Sequence, residues 1–304
     1  MAKDAVTGAF GFTGRAIAEA LLARDRSVVT LTSHPRPGDA LAPRIEVKPL
    51  DFDRSADLAA SLAGVDVLYN TYWIRFPRKG LTFETAIAHS EVLLAAARQA
   101  GVRRVVHVSV VGASGDGPTP YVRAKGTLED RVGGARLEWA IVRPTLTFGP
   151  GDILINNLAW ALRRLPVYGI PGRGRYPIQP VHVDDVARIC LEAADGPSGL
   201  TTDAAGPETP AYVDLVKAVR SAVGRRTPIV PMPAWAVLAA ARFLGPIVHD
   251  VVLTRHEIVE LTTGFLTSKE PPRGTIAPTS WIAEHGAGLG RRWASELKRN
   301  FGGR

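Results

Sequence analysis

Apolar runs of strand length, alternating with longer helical patterns, are the feature that leaves this chain the fewest folds. The runs AVTGAF, SVVTLT, IEVKPL, VDVLYN, VRRVVHVSV and LEWAIVRP are rich in valine and isoleucine. Helical patterns occupy about Gly14 to Ala23, Ser55 to Ala63, Phe83 to Ala100 and Tyr121 to Val132. Strands that are apolar throughout, separated by helices, belong in a parallel sheet covered on both faces. Right-handed crossovers wind such a sheet into a doubly wound α/β fold, whose ligands bind at the carboxyl ends of the strands.

The remaining bulk properties narrow the setting. A chain of 304 residues, 46% hydrophobic and 22% charged, is an ordinary globular protein that buries a substantial core. The opening MAKDAVTG runs straight into the first strand with no leader, so a cytoplasmic location is expected. The most apolar later stretch, Pro233 to Leu253, contains Arg242, His249, Asp250 and the break LGP, so no integral membrane segment is expected there; a membrane-surface helix stays open. The lone Cys190 reads as a small buried hydrophobe. The seven histidines are scattered and none has helical ligand spacing, so no metal is expected. A net charge of +8 is spread over single and paired basic residues without an aromatic stripe, which points to a small anionic ligand rather than nucleic acid. The oligomeric state is not legible.

After VRPTLTFGPGD the composition turns rich in proline and glycine, as in RLPVYGIPGRGRYPIQP. We therefore expect a dinucleotide-binding domain over residues 1–150. A smaller substrate-covering and C-terminal helical region over 151–304 would interleave with it, the last part being helices and turns.

At the first strand–helix junction stands VTGAFGFTGR, with Gly8, Gly11 and Gly14 at three-residue spacing and Phe12, Thr13 and Arg15 among them. A tight turn, close backbone approach and a helix N-terminus together make a seat for a pyrophosphate. The TGxxGxxG spacing is joined by LDF after the third strand, then YVRAKGTLE, IVRPTLTFGPGD and PVHVDDVA. This order of motifs resembles the extended or atypical short-chain dehydrogenase/reductases, similar to the NAD-dependent epimerase/dehydratase, NmrA-like and complex I accessory-subunit-like groups. The resemblance covers roughly residues 4 to 225 and implies a Rossmann-type sheet and a nicotinamide cofactor.

Charge then separates the two cofactors. The second strand ends in TLTSHPRPGD, with no carboxylate before Asp39; Ser33, His34 and Arg36 stand there, and Arg15 opens the first helix. Two guanidinium groups suit a 2′-phosphate through forked, charge-assisted bonds, so NADP(H) is expected over NAD(H). The resemblance further implies that Asp51 and Phe52 lie beside the adenine, Asn70 near the ribose, and Arg143, Pro144 and Thr145 near the nicotinamide amide.

Tyr121 and Lys125 are one helical turn apart, so the ammonium can reach the same region of cofactor ribose and phenol. A phenol is a poor base near neutrality unless a neighbouring positive charge stabilises its anion. The resemblance makes this the proton-exchanging pair and makes Ser109, at the end of the fifth strand, a donor to the substrate oxygen. Val110 and Val111 follow Ser109 where many relatives carry another serine; Ser114 is the substitute. Trp73 could wall an apolar substrate and Arg75 hold an anionic one, in a loop that also carries Tyr72, Phe76 and Arg78. Asn156, Asn157, Trp160 and Tyr176 lie in the expected substrate-covering segment, and Asp184 is expected to cap the helix after HVDDVA.

The expected function is that of an NADP(H)-dependent oxidoreductase or epimerase-like enzyme acting on an alcohol or carbonyl of a small molecule. The alternative is a non-catalytic NAD(P)H-binding redox sensor or assembly subunit.

Overall fold

Ala5, Val6, Val29, Leu31, Leu68, Val105, Val106, Ala140 and Val142 are almost wholly buried, several of them consecutive along a strand. Consecutive buried residues mean that both faces of the sheet are covered. The computed structural model describes residues 2–300. In chain order the elements begin β1 (Lys3–Thr7), α1 (Phe12–Leu22), β2 (Ser27–Thr32), β3 (Glu46–Pro49), α2 (Ser55–Ser61), β4 (Val65–Asn70), α3 (Phe83–Gln99), β5 (Arg104–Val108), α4 (Pro120–Gly133) and β6 (Glu138–Pro144). There follow β7 (Leu146–Phe148), α5 (Leu154–Arg164), β8 (Tyr168–Pro171), β9 (Pro180–His182), α6 (Val183–Asp195), β10 (Leu200–Ala204), α7 (Tyr212–Ala222), β11 (Ile229–Met232), α8 (Ala234–Val248), α9 (Arg255–Thr262), α10 (Pro278–His285) and α11 (Glu296–Asn300).

These elements form two compact units, one from residues 2–144 and 183–204, the other from 145–182 and 205–300. The first unit holds a seven-stranded sheet in the order β10-β6-β5-β4-β1-β2-β3, every pair parallel. This is the Rossmann-like α/β fold. The chain leaves β1 toward β2 and β3, then returns to the other side of β1 with β4, so the order reverses between β1 and β4. That reversal opens the crevice in which such sheets hold ligands.

Leu58 of α2, Leu93, Leu94 and Ala97 of α3, and Leu128 and Val132 of α4 share one apolar cluster with Ala5, Leu68 and Val105 of the strands. Helices α1 and α6 pack on each other, and α6 also packs on β5 and β6. Buried Arg104 secures α6: its guanidinium donates to the carbonyls of Ala193, Ala194 and Gly196 at the helix end and pairs with Glu138 at 2.9 Å. A cation there satisfies orphan carbonyls and opposes the negative pole of the helix.

Two expectations need correction. The stretch after residue 195 was expected as helices and turns only, yet Leu200–Ala204 pairs along β6 and completes the sheet. LTTDA carries no valine or isoleucine run, and an edge strand paired on one side only needs none. Asp184 does not cap α6 from outside, because the helix already begins at Val183 and places it in the first turn. A carboxylate there still complements the helix dipole.

The second unit is built around Phe148, Ile155, Leu158, Leu162, Ile170, Ile178, Leu215, Val219 and Trp281, with the short parallel pairs β7–β9 and β8–β11. Thr145 Oγ1 donates to the Gln179 carbonyl and Gln179 Nε2 to that of Gly206, tying its segments together.

Candidate functional site

Gly8 follows β1 directly with φ +67°, a conformation that disfavours any side chain. Its N–H donates to the Leu31 carbonyl at 2.9 Å, and the Gly11 N–H donates back to the Gly8 carbonyl at 2.7 Å, closing the turn. Gly11 is the residue before α1, and no side chain caps that helix. The opening amides of α1 therefore keep the bare, positive end of the helix for an anion. A methyl group at Gly14 would collide with the Gly8 carbonyl, so the third glycine lets the helix press against the turn. These features fit a dinucleotide pyrophosphate, with Phe12, Thr13 and Arg15 in the first turn.

Beyond β2 and β3 lies an open cavity of about 600 Å³, lined by Thr32, Ser33, Lys48, Asp51, Phe52 and His89 among others. Phe52 and His89 stack at 4.1 Å and 12°, and His89 Nδ1 is 2.8 Å from Tyr72 Oη. Burial holds the His89 imidazole below its usual pKa, so the ring is a neutral, flat partner. Three sequence-predicted residues, Ser33, Asp51 and Phe52, thus line the cavity. Asp51 accepts from the Asp53 N–H at 3.1 Å and pairs with Arg54 at 2.8 Å. His89 and Lys48 were missed: 37 residues separate His89 from Phe52, and only the fold stacks them.

The loop after β2 brings Asp39 back to Arg15, whose guanidinium bonds its carboxylate. That bond raises the Arg15 pKa, and the carboxyl of Asp39 is held below its usual range chiefly by Arg15, with Arg36 adding to the field. A carboxylate thus stands between the two arginines that the sequence placed alone.

On the other side of the crevice, Thr119 Oγ1 accepts the Val122 N–H at 3.3 Å and Pro120 opens α4, fixing its first turn. Tyr121 sits in that turn and Lys125 one turn later. The Lys125 Nζ donates to the Val108 carbonyl at 2.9 Å and lies 4.6 Å above the Trp73 ring. Trp73 and Phe83 are parallel at 6.0 Å, and Tyr121 stands edge-on to both, at 6.3 and 6.0 Å. The structure therefore brings Trp73, Tyr121 and Lys125 into one cluster. Burial pushes the Lys125 ammonium down to about 7, with Glu129 opposing the shift.

Ser109 is buried, and among the described residues none hydrogen-bonds its Oγ; the same holds for His107 Nε2 and Trp73 Nε1. Burial, then the nearby Lys125 charge, keeps His107 neutral. Asn70 was expected beside the ribose, but it is fully buried, accepting from Thr7 Oγ1 and the Tyr72 N–H, with His107 Nδ1 at 3.3 Å from its Nδ2. It supports the strand ends from within. The Pro144 carbonyl accepts the Val111 N–H at 2.9 Å, locking the turn after β5, while Arg143 pairs with Glu129. The Arg75 guanidinium lies 5.6 Å from the centroid of the Phe76 ring.

The predicted residues of the second unit are differently employed. Asn156 accepts from the Gly290 N–H at 3.0 Å and donates to the Arg292 carbonyl at 3.0 Å. Asn157 exchanges two bonds of 2.9 Å with the backbone of Ala294. Both amides are thus spent on clipping the C-terminal segment, not presented to a substrate. Trp160 packs edge-on against Trp293 at 5.1 Å. Tyr176 stacks on Tyr212 at 5.6 Å, and among the described residues its hydroxyl meets no partner.

The parallel sheet with its reversal beside β1 and the bare glycine turn place this protein in the Rossmann class. Residues 8–155 match a family model described as NAD(P)H-binding, which fits the resemblance to the extended or atypical short-chain dehydrogenase/reductases. The chain is similar to the mitochondrial subunit 9 of the NADH dehydrogenase (ubiquinone) 1 alpha subcomplex of Arabidopsis thaliana, 28% identical over 282 residues, 86% of this chain and 70% of that one. A 4-hydroxy-2-methyl-3-oxo-4-farnesyl-3,4-dihydroquinoline-1-oxide ketoreductase of Stigmatella aurantiaca is 29% identical over 264 residues, 78% of each chain. Among solved structures, the triphenylmethane reductase of Citrobacter sp. complexed with NADP(H) superposes with a TM-score of 0.76 at 17% identity, over 94% of this chain and all of the other. That last likeness is one of fold.

Proposed function

We propose that this protein is an NADP(H)-dependent reductase of a carbonyl on a flat aromatic small molecule. The observation that carries the reading is Lys125, buried one turn from Tyr121 and bonded to the Val108 carbonyl, next in sequence to a buried Ser109 hydroxyl that no group among the described residues hydrogen-bonds. The glycine turn would hold the pyrophosphate, Phe52 and His89 the adenine, and Arg15, Arg36 and Ser33 a 2′-phosphate. When bound, the reduced nicotinamide supplies a hydride. Tyr121 Oη delivers the proton to the carbonyl oxygen, and the Ser109 Oγ–H polarises that oxygen. Lys125, with its pKa near the working range, stabilises the resulting phenolate or returns a proton to it. Trp73, backed by buried Phe83, sets an indole beside Tyr121, which suits an aromatic substrate; the ketoreductase named above carries a dihydroquinoline-1-oxide in its name.

A second reading, a cofactor-binding sensor or assembly subunit, draws on the Lys125 bond to Val108, the valines after Ser109 and the likeness to a complex subunit. NADPH oxidation with a panel of aromatic ketones and quinones, beside calorimetry with NADPH and NADH, separates the two. Turnover that falls by about 10²–10⁴-fold in Tyr121→Phe, with NADPH binding intact, supports the enzyme. Tight binding without turnover supports the second reading, and a Tyr121→Phe protein with full turnover overturns the mechanism.

A further inference from the structure

In the second unit, Trp235, Phe243 and Ile247 of α8 are 73%, 80% and 71% exposed. Their spacing of eight and four residues puts them within one arc of the helix, together with Ala239. Of the fifteen residues of α8 only Ala241 is buried, although the helix is apolar at every position but Arg242. A helix of this kind does not leave large side chains in water without a partner, and single exposed apolar residues differ from a stripe of them.

Charge says what the partner is. Between residues 215 and 256 the chain has six basic residues and one acid. The acid, Asp250, is buried and spent on Trp293 Nε1 and the N–H groups of Val251, Glu296 and Leu297. Arg225 and Arg226 before β11, Arg242 within α8 and Arg255 after it are all exposed. The stripe protrudes from a helix and carries an indole, a phenyl ring and an aliphatic chain between cationic flanks. A protruding apolar edge in a stretch, residues 215–256, whose exposed Asp, Glu, Lys and Arg residues are all basic fits a soft, negatively charged apolar medium better than a shaped protein groove.

We propose that α8 docks this protein onto the surface of an anionic lipid bilayer. Trp235, Phe243 and Ile247 enter the headgroup boundary, and Arg225, Arg226, Arg242 and Arg255 meet the lipid phosphates. The helix has fifteen residues and does not cross the membrane; no helix among the described residues is long and apolar enough to do so. The inference stands on the second unit alone and does not depend on the proposed chemistry.

Sedimentation of the full chain with vesicles tests it, using phosphatidylcholine alone and phosphatidylcholine with about a third phosphatidylglycerol. Expected are binding to the anionic vesicles, a loss of about tenfold or more at roughly 0.5 M salt, and a similar loss in Phe243→Glu and in Arg225→Glu/Arg226→Glu. Both sites are exposed, and a far-ultraviolet circular dichroism spectrum and thermal midpoint unchanged from the parent verify that each variant is folded. Absent binding at low salt, equal binding to neutral vesicles, or binding unchanged in Phe243→Glu overturns the proposal. So does self-association in ultracentrifugation that Phe243→Glu abolishes in a protein with no affinity for vesicles, which would assign the stripe to a second copy of the chain.

Discussion

Replacing Lys125 by methionine should remove a large pH dependence from the stability of the first unit. The ammonium sits in full burial above Trp73, and its pKa falls from 10.5 to about 7 because desolvation disfavours the charge. Unfolding restores the ordinary value, so between the two values the unfolded chain binds more protons and stability rises with pH. Working the two-state titration from about pH 7 to about pH 9.5, Lys125 alone contributes an increase of about 3 kcal/mol. Buried Cys190 and the tyrosines Tyr69, Tyr72, Tyr176 and Tyr212, whose pKa values are raised by burial, act in the opposite sense as pH climbs. They are common to parent and variant and cancel in the comparison. Urea unfolding followed by far-ultraviolet circular dichroism at both pH values should therefore show the parent gaining about 3 kcal/mol relative to Lys125→Met. The methionine keeps the apolar stem against the indole and removes the titrating nitrogen together with its bond to Val108 and its place over the Trp73 ring. Parallel pH profiles for the two proteins, or a Lys125 ε-carbon resonance that titrates near the ordinary value, would refute the assignment of a desolvated lysine at this site.

Gly14→Ala should lower NADPH affinity by two orders of magnitude or more and cost about 1–3 kcal/mol, because the added methyl drives α1 away from the Gly8 carbonyl; calorimetry and thermal unfolding read both. Arg15→Ala should weaken NADPH by about tenfold to a hundredfold and leave NADH nearly unchanged, whereas equal losses would remove the basis for a 2′-phosphate site. Asn157→Ala should cost about 1–3 kcal/mol and speed proteolysis of the C-terminal segment with no change in substrate KM; a raised KM at constant stability would return Asn157 to the substrate. Thr119→Ala should cost about 1 kcal/mol by uncapping α4, measurable as a lower denaturation midpoint.

What the sequence made legible was local. Six valine-rich strands, the glycine turn and the one-turn spacing of Tyr121 and Lys125 each declare themselves within a short window, because strand burial, turn strain and helical period act over a few residues. Long-range pairings were silent. Asp39 reads as a loop residue in PRPGDA, and only the closing of that loop sets it on Arg15. His89 looks like any polar position of α3 until Phe52 arrives from beyond β3. Asn156 and Asn157 carry the chemistry of ligand-binding amides, but that chemistry serves equally to grip a backbone more than 130 residues away. The strand β10 stayed hidden because an edge needs little hydrophobicity, and its two threonines match many loops.

That late strand has a consequence for biosynthesis. A ribosome releases the first 144 residues with β6 as the outermost strand, its free rim waiting through the whole of 145–182 until α6 and Leu200–Ala204 emerge. During that interval the nascent sheet offers exposed N–H and C=O groups to any neighbouring chain, so a fragment cut near residue 155, where the NAD(P)H-binding match stops, should aggregate. Extending the fragment to residue 204, at the cost of carrying the excursion, should restore a monodisperse product.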